Sequence, residues 1–342
     1  MPVYNGAKYL GEAIESILNQ TFTDFEFIII DDCSNDNSLE IIREYSDKRI
    51  RVIKNRDNIG LSKTLNLGLE LAKGKYLARM DQDDISIKNR LEREVDILDQ
   101  SPDCGLVSTN CYLINDNGEV SDRPILSKSL SGGQVEWYLF WENPIIHPSV
   151  MFPTQHIRSL NGYPEIYKFY VEDYVLWLRL LKTKSIVVLR EPLLYLKKHD
   201  LNATQVNLEQ HIEEYVKVNQ EILAERLNYY PLPESIRLLG NLSSGTELSL
   251  FHTRMSIVLL INAYKYLVRK HQLNNTQLRD IQSDFLNRFI RLIKLNIPYG
   301  MLRVSMVLGQ TLFLLPISML NRLNKETMVK LILAARFHHR NP

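Results

Sequence analysis

The chain has 342 residues, enough for one large domain or two ordinary ones. Its 45% hydrophobic and 24% charged residues exclude a disordered chain, and a net charge of +1 excludes broad electrostatic binding to nucleic acid. Three cysteines, Cys33, Cys104 and Cys111, lack C-x-x-C spacing and point to a reducing compartment, away from a disulfide framework or a zinc site.

No basic and apolar leader is visible at the N-terminus. Residues 2–4 read as the end of a strand, so either that strand is very short or the natural start lies upstream. Leu10, Ile14, Ile17 and Leu18 recur at helical spacing and predict an amphipathic helix over 8–20. The apolar run 25–30 predicts a buried parallel strand, closed by the polar loop Asp31-Asp32-Cys33-Ser34-Asn35-Asp36 and a helix over 38–45. A strand over 50–54, a turn at Asn58-Ile59-Gly60 and a helix stopped by Gly74 complete a strand–helix alternation, the signature of βαβ units.

Residues 75–84, Lys-Tyr-Leu-Ala-Arg-Met-Asp-Gln-Asp-Asp, are the stretch around which the rest is organised. An apolar strand over 76–80 runs straight into Asp81, Asp83 and Asp84. Carboxylates this close repel one another and call for a compensating cation; oxygen ligands suit Mg²⁺ or Mn²⁺. The plainer alternative is an acidic turn after a strand. A charged helix over 88–100, a strand over 105–114 and a turn at 115–118 follow.

From 120 to 200 the pattern is less regular. Short apolar pieces at 149–152 and 186–189 sit among many aromatics, and a helix is expected over 174–181, with Glu172 and Asp173 at its N-terminal end. Beyond 205 the chain is helical, over 208–227, 247–272 and 276–295. The uncharged segment 304–320 is too short to span a bilayer and has basic flanks; it either packs on neighbouring helices or lies in a membrane surface. His338-His339 reads as a solvated tail.

Five features in order now resemble one family: Pro2-Val3-Tyr4-Asn5-Gly6, Asp31-Asp32, Asn58-x-Gly60, Asp81-x-Asp83-Asp84 and Glu172-Asp173-Tyr174 with Leu176-Trp177-Leu178-Arg179 after it. Together they resemble the family 2 inverting glycosyltransferases. The resemblance implies an α/β fold of GT-A type, a Rossmann-like mixed and mostly parallel sheet flanked by helices. It covers residues 1–205 as catalytic domain, with the first strand truncated at its N-terminal side; 206–342 would be a helical C-terminal region, with membrane association as one option.

The same resemblance implies residue roles. Pro2 and Tyr4 would lie at the nucleobase, Asp32 would accept the base ring N–H with Asp31 in support, and Asp81 would meet the ribose or lie close to the metal. Asp83 would hold Mn²⁺ or Mg²⁺, with Asp84 behind it. Asp173 would be the general base, with Glu172 as the neighbour most able to replace it. Lys197 and His199 match a basic-x-His pair set at the diphosphate and the metal, though Lys stands where Arg is usual and Leu196 where Tyr is usual. His147-Pro148-Ser149 matches a turn near the donor sugar. Trp137, Trp141 and Trp177 are candidates to stack on an acceptor, with core packing as the alternative.

The implied activity moves a sugar, with inversion, from a nucleotide-diphosphate sugar (UDP-sugar first) to a hydroxyl of a glycan or lipid-linked saccharide. The location implied is cytoplasmic, possible at the inner membrane face, with no nucleic-acid partner. Two rivals stay in view. A haloacid-dehalogenase-like phosphatase also uses D-x-D after a strand, but the motif here follows several βα units and runs into Asp84-Ile85. A non-catalytic nucleotide-sugar-binding module would have no need of Asp173.

Overall fold

The structure, a computed structural model, describes residues 1–167, 169–199, 206–242, 249–296, 304, 306 and 307. Except for 304, 306 and 307, the apolar segment 304–320 lies outside the described residues, as does His338-His339. The chain divides into two compact units: Met1–Val135 with Asn143–His211, and Glu136–Glu142 with the chain from Ile212 onward.

The first unit opens on a parallel sheet in the order β1-β2-β3, made of β1 (Pro2–Val3), β2 (Phe27–Asp31) and β3 (Ile50–Lys54). Between them α1 (Leu10–Leu18) buries Leu10, Ala13, Ile14 and Ile17, the single apolar stripe that helical spacing produces. α2 (Ser38–Glu44) buries Leu39 and Ile42, and α3 (Leu61–Leu71) starts at Gly60.

A second sheet holds β4 (Tyr76–Ala78), β5 (Ile85–Ser86), β6 (Cys104–Ile114), β7 (Leu130–Ser131), β8 (Val150–Pro153) and β9 (Ser185–Lys197). Its order is β4-β8-β6-β9-β5, with β7 also on β9; β6 and β9 run parallel and the other pairs antiparallel. The helices α4 (Arg90–Gln100), α5 (Gly133–Leu139), α6 (Thr154–Ser159) and α7 (Glu172–Leu180) accompany it. β9 is far longer than the apolar piece at 186–189, because it continues through Arg190, Glu191 and Pro192. Where Pro192 lacks a backbone donor the ladder with β6 slips, and the Asn110 amide donates to the Arg190 carbonyl at 2.9 Å instead.

The helical unit contains α8 (Leu208–Leu227), α9 (Pro233–Gly240), α10 (Leu250–Lys270) and α11 (Asn275–Lys294). Their apolar faces close over Trp137, Phe140 and Trp141. Trp137 and Trp141 are completely buried, edge to face at 5.6 Å, and Trp177 is equally buried in the first unit. All three are core residues, and the acceptor-stacking alternative is set aside. Among the described residues no helix is long and apolar enough to cross a membrane.

Candidate active site

The site is assembled from loops at the carboxyl ends of strands, where open α/β sheets bind ligands. After β1 the chain turns through Asn5, which adopts a positive φ of 51°. Two loops are laced here. Asn5 N–H donates to Ser34 Oγ (3.0 Å), Gly6 N–H to Ser38 Oγ (2.9 Å) and Ala7 N–H to Asp36 Oδ2 (3.1 Å), while Asn35 N–H donates back to Asn5 Oδ1 (2.9 Å). The Tyr4 ring is left 43% exposed at the rim, and Pro2 is held in β1 opposite Ile30.

Asp31 is fully buried; its Oδ1 accepts from Ser34 N–H, and its Oδ2 has no hydrogen-bond partner among the described residues. Asp32, also buried, accepts from Asn55 Nδ2 (2.7 Å), Ile59 N–H (3.0 Å) and Gly60 N–H (2.9 Å). It therefore fixes the Asn58–Gly60 turn, where Gly60 takes a φ of 86° that suits glycine.

The acidic stretch follows β4. One oxygen each from Asp81, Asp83 and Asp84 lies within 4.8 Å of the others. β5 then pairs antiparallel with β9, Ile85 opposite Tyr195 and Ser86 opposite Leu194, and this register brings the far end of β9 onto the carboxylates. Lys197 N–H donates to Asp84 Oδ1 at 2.8 Å, and His199 Nε2 sits 3.0 Å from Asp83 Oδ2. The His199 ring stacks on Tyr9 at 4.9 Å, Lys197 Nζ lies 4.8 Å over the same ring, and Tyr9 Oη donates to Asp116 at 2.6 Å.

Burial, and then the neighbouring charges of Asp81 and Asp83, hold the Asp84 carboxyl well above the usual carboxylate range; burial and Asp81 raise Asp83 as well. Such a cluster of hard oxygen donors, with too little positive charge beside it, fits a divalent cation. The buried Arg79 guanidinium pairs with Asp81. The Gln82 side chain clamps Tyr4, its Oε1 accepting from Tyr4 N–H (2.9 Å) and its Nε2 donating to Tyr4 C=O (3.1 Å). Arg90, fully buried, donates to the Arg79 and Pro148 carbonyls and so ties the acidic turn to the His147–Ser149 turn.

Glu172 and Asp173 start α7. Burial is the main cause that pushes Glu172 up to about 7, helped by Asp173, and it pushes Asp173 up to about 6. Asp173 Oδ2 accepts from Asn143 Nδ2 at 3.1 Å, and its Oδ1 accepts from Tyr174 N–H at 2.6 Å. Neither acid supplies an N-cap bond; the cap residue is Val171. The buried Tyr163 phenol feels the charges of Arg79, Asp173, Glu172 and Asp81 together, which places the two acidic groups in one neighbourhood. His147 Nε2 is 3.1 Å from Tyr163 Oη and its ring meets Trp177 edge-on; burial, with Arg79 nearby, keeps this imidazole neutral. Sequence reasoning passed over Arg79, Gln82, Arg90, Tyr9 and Tyr163. The signal for Arg79 and Gln82 was only their place beside the acids, and the others become neighbours of the site through folding alone.

A cavity of about 840 Å³ lined by Met1, Phe25, Ile28, Leu65, Tyr76 and Leu91 touches none of these acids and is not the site.

A parallel three-stranded sheet leading into a mixed one, with an acidic cluster after β4, is the GT-A arrangement of nucleotide-sugar enzymes. S. aureus TarS has this fold: the structure solved with UDP-GlcNAc superposes at a TM-score of 0.55 with 18% identity, over 84% of this chain and 87% of that one. The family model for glycosyl transferase family 2 matches residues 1–155. A Methanocaldococcus jannaschii glycosyltransferase is 36% identical over 183 residues, 52% of this chain and 62% of the relative's length. The Escherichia coli O-antigen biosynthesis glycosyltransferase WbnJ is 37% identical over 185 residues, 53% of this chain and 70% of its own. The chain belongs to glycosyltransferase family 2. A further relative at 29% identity, covering 54% of this chain and 70% of its own, is the E. coli UDP-Glc:alpha-D-GlcNAc-diphosphoundecaprenol beta-1,3-glucosyltransferase WfgD.

Proposed function

We propose that the protein transfers a sugar from a UDP-sugar to a hydroxyl of a glycan or lipid-linked saccharide, with inversion, in the synthesis of a cell-surface polysaccharide. The observation that carries this reading is the convergence of the Asp81–Asp83–Asp84 cluster, Lys197 and His199, and the raised Glu172–Asp173 pair in one unit. The relative WfgD, whose name states a UDP-glucose donor and a diphosphoundecaprenol-linked acceptor, supports the donor and acceptor classes. An acceptor of that kind would set the work at the cytoplasmic membrane face, with the protein peripheral to it. Residues 1–205 form the transferase part of this reading and 206–342 its helical adjunct.

Tyr4, exposed at the rim, offers its face to the nucleobase beside Pro2. Asp32 keeps about one of its four lone-pair sites after its three internal bonds, enough for a ring N–H, while Asp31 stiffens the loop beneath. Asp83 and Asp81 would hold Mn²⁺ or Mg²⁺, with Asp84 and His199 beside them, and Asp81 would meet the ribose. Bound there, a divalent ion neutralises charge on the diphosphate leaving group. Lys197 adds a cation for the same phosphates. Asp173, its carboxyl free of any cation in direct contact among the described residues, takes the proton from the attacking hydroxyl, and Asn143 holds the orientation of that carboxyl.

Asp173→Asn is the test. The variant should bind UDP with Mn²⁺ as the parent does and lose roughly 10²–10⁴ in transfer rate, as removal of a general base predicts. Transfer near the parent rate would move the base elsewhere, with Glu172 the first residue to try.

A further inference from the structure

The helical unit carries a second cluster of chemistry-bearing side chains. A cavity of about 540 Å³ is lined by Arg226, Asn228 and Tyr229 at the end of α8 and by Asn262, Lys265, Tyr266, Arg269 and Lys270 along α10. Four cations from two helices thus line it, and like charges gathered around one cavity repel unless an anion stands between them. One anion is built in: the fully buried Glu136 lies 2.7 Å from Arg226, 2.9 Å from Lys270 and 2.5 Å from His271. That carboxylate holds Arg226 and Lys270 in place. Among the described residues it does not reach Lys265 or Arg269, which are exposed and have no ion-pair partner there.

We infer that this cavity is an anion site for a phosphate or diphosphate ester, separate in chemistry from the acidic donor site and independent of how that site is assigned. The donors fit the ligand. Guanidinium forks match phosphate oxygens two at a time, ammonium groups add point charge, and the Asn228 and Asn262 amides and Tyr229 supply neutral hydrogen bonds. The volume far exceeds the ~30 Å³ of one water molecule and admits a phosphate with the group esterified to it. Two sources present this chemistry: a soluble phosphate ester, or the headgroup of an anionic lipid.

The test uses the full chain and three charge reversals on one helix. Lys265→Glu and Arg269→Glu alter the cavity; Arg254→Glu, exposed on α10 but outside the cavity lining, is the control. Binding is read by calorimetry with pyrophosphate and by flotation with vesicles of phosphatidylcholine alone or with 30% phosphatidylglycerol, on the order of a bacterial anionic content. Each cavity variant should bind at least about tenfold more weakly than the parent, with the control unchanged and the melting temperature of the free protein intact in all. Pyrophosphate binding without vesicle binding assigns a soluble ester; flotation that needs phosphatidylglycerol and fails in the cavity variants assigns a lipid headgroup. No binding in either arm, or equal loss in Arg254→Glu, overturns the site.

Discussion

Asp173 and Glu172 owe their interest to where they sit more than to what they are. Burial pushes Asp173 up to about 6 and Glu172, with Asp173 beside it, to about 7. A base must be ionised to act, so transfer should fall about tenfold per pH unit below about 6 and level off above 7. A flat profile from pH 5 to 8 would remove both acids from the proton path. The same shift has a stability side. A carboxyl raised in the folded state contributes stability below its unfolded pKa and loses it as pH rises through the folded value. At pH 8 the ionised Asp173 is therefore a cost, and Asp173→Asn should be more stable there by an amount on the order of 1–3 kcal/mol, read as a higher Tm. A lowered Tm would show that the charge is stabilising. The metal cluster allows a parallel test: Asp83→Asn should fold normally and bind UDP no better with Mn²⁺ than with EDTA. Mn²⁺-dependent UDP affinity equal to the parent's would remove Asp83 from the metal.

At the scale of elements, the site depends on how the β4–β5 turn meets the β1–α1 turn. A Cβ on Gly6 would collide with the Gln82 amide, the same amide that clamps Tyr4 through both backbone groups. Gly6→Ala alone should therefore displace Gln82 and cost its two hydrogen bonds to Tyr4, about 1–3 kcal/mol of stability. Gln82→Ala removes the obstacle, so in the double variant the alanine at position 6 should cost clearly less, a non-additivity that thermal melts can read. Strict additivity would mean that the two turns do not meet as described. Much of this was legible in the chain. The α1 stripe, the Asp31-Asp32 loop, the Asn58–Gly60 turn and the acids after β4 all declare themselves within about ten residues, because local periodicity and turn chemistry write them. The end of β9 did not declare itself locally, and only the family resemblance of Lys197 and His199 set it beside the acids. Its arrival at Asp83 and Asp84 depends on the β5–β9 register, and Pro192 hides the strand's length.

For the molecule as a whole, the feature hidden from sequence is that residues 136–142 belong with the helices that follow residue 211. Trp137 Nε1 donates to Asp284 at 2.8 Å across a separation of 147 residues, and no periodicity carries information over that distance. Glu136 is the polar counterpart of this apolar anchor. Burial alone would raise its pKa, but His271, Arg226 and Lys270 pull it down to about 2. A carboxylate lowered in this way contributes stability above its unfolded pKa near 4.5, and loses it as pH falls through about 2. Glu136→Gln leaves the Arg226 guanidinium, whose side chain is 6% exposed, without its counter-charge. Breaking a buried pair from one side costs roughly 3–5 kcal/mol, so at pH 7 the variant should unfold at markedly lower urea than the parent. At pH 3 the gap should narrow, because the parent's own Glu136 is then losing its advantage over a neutral side chain. A difference that stays constant from pH 7 to 3 would assign the loss to packing and not to charge.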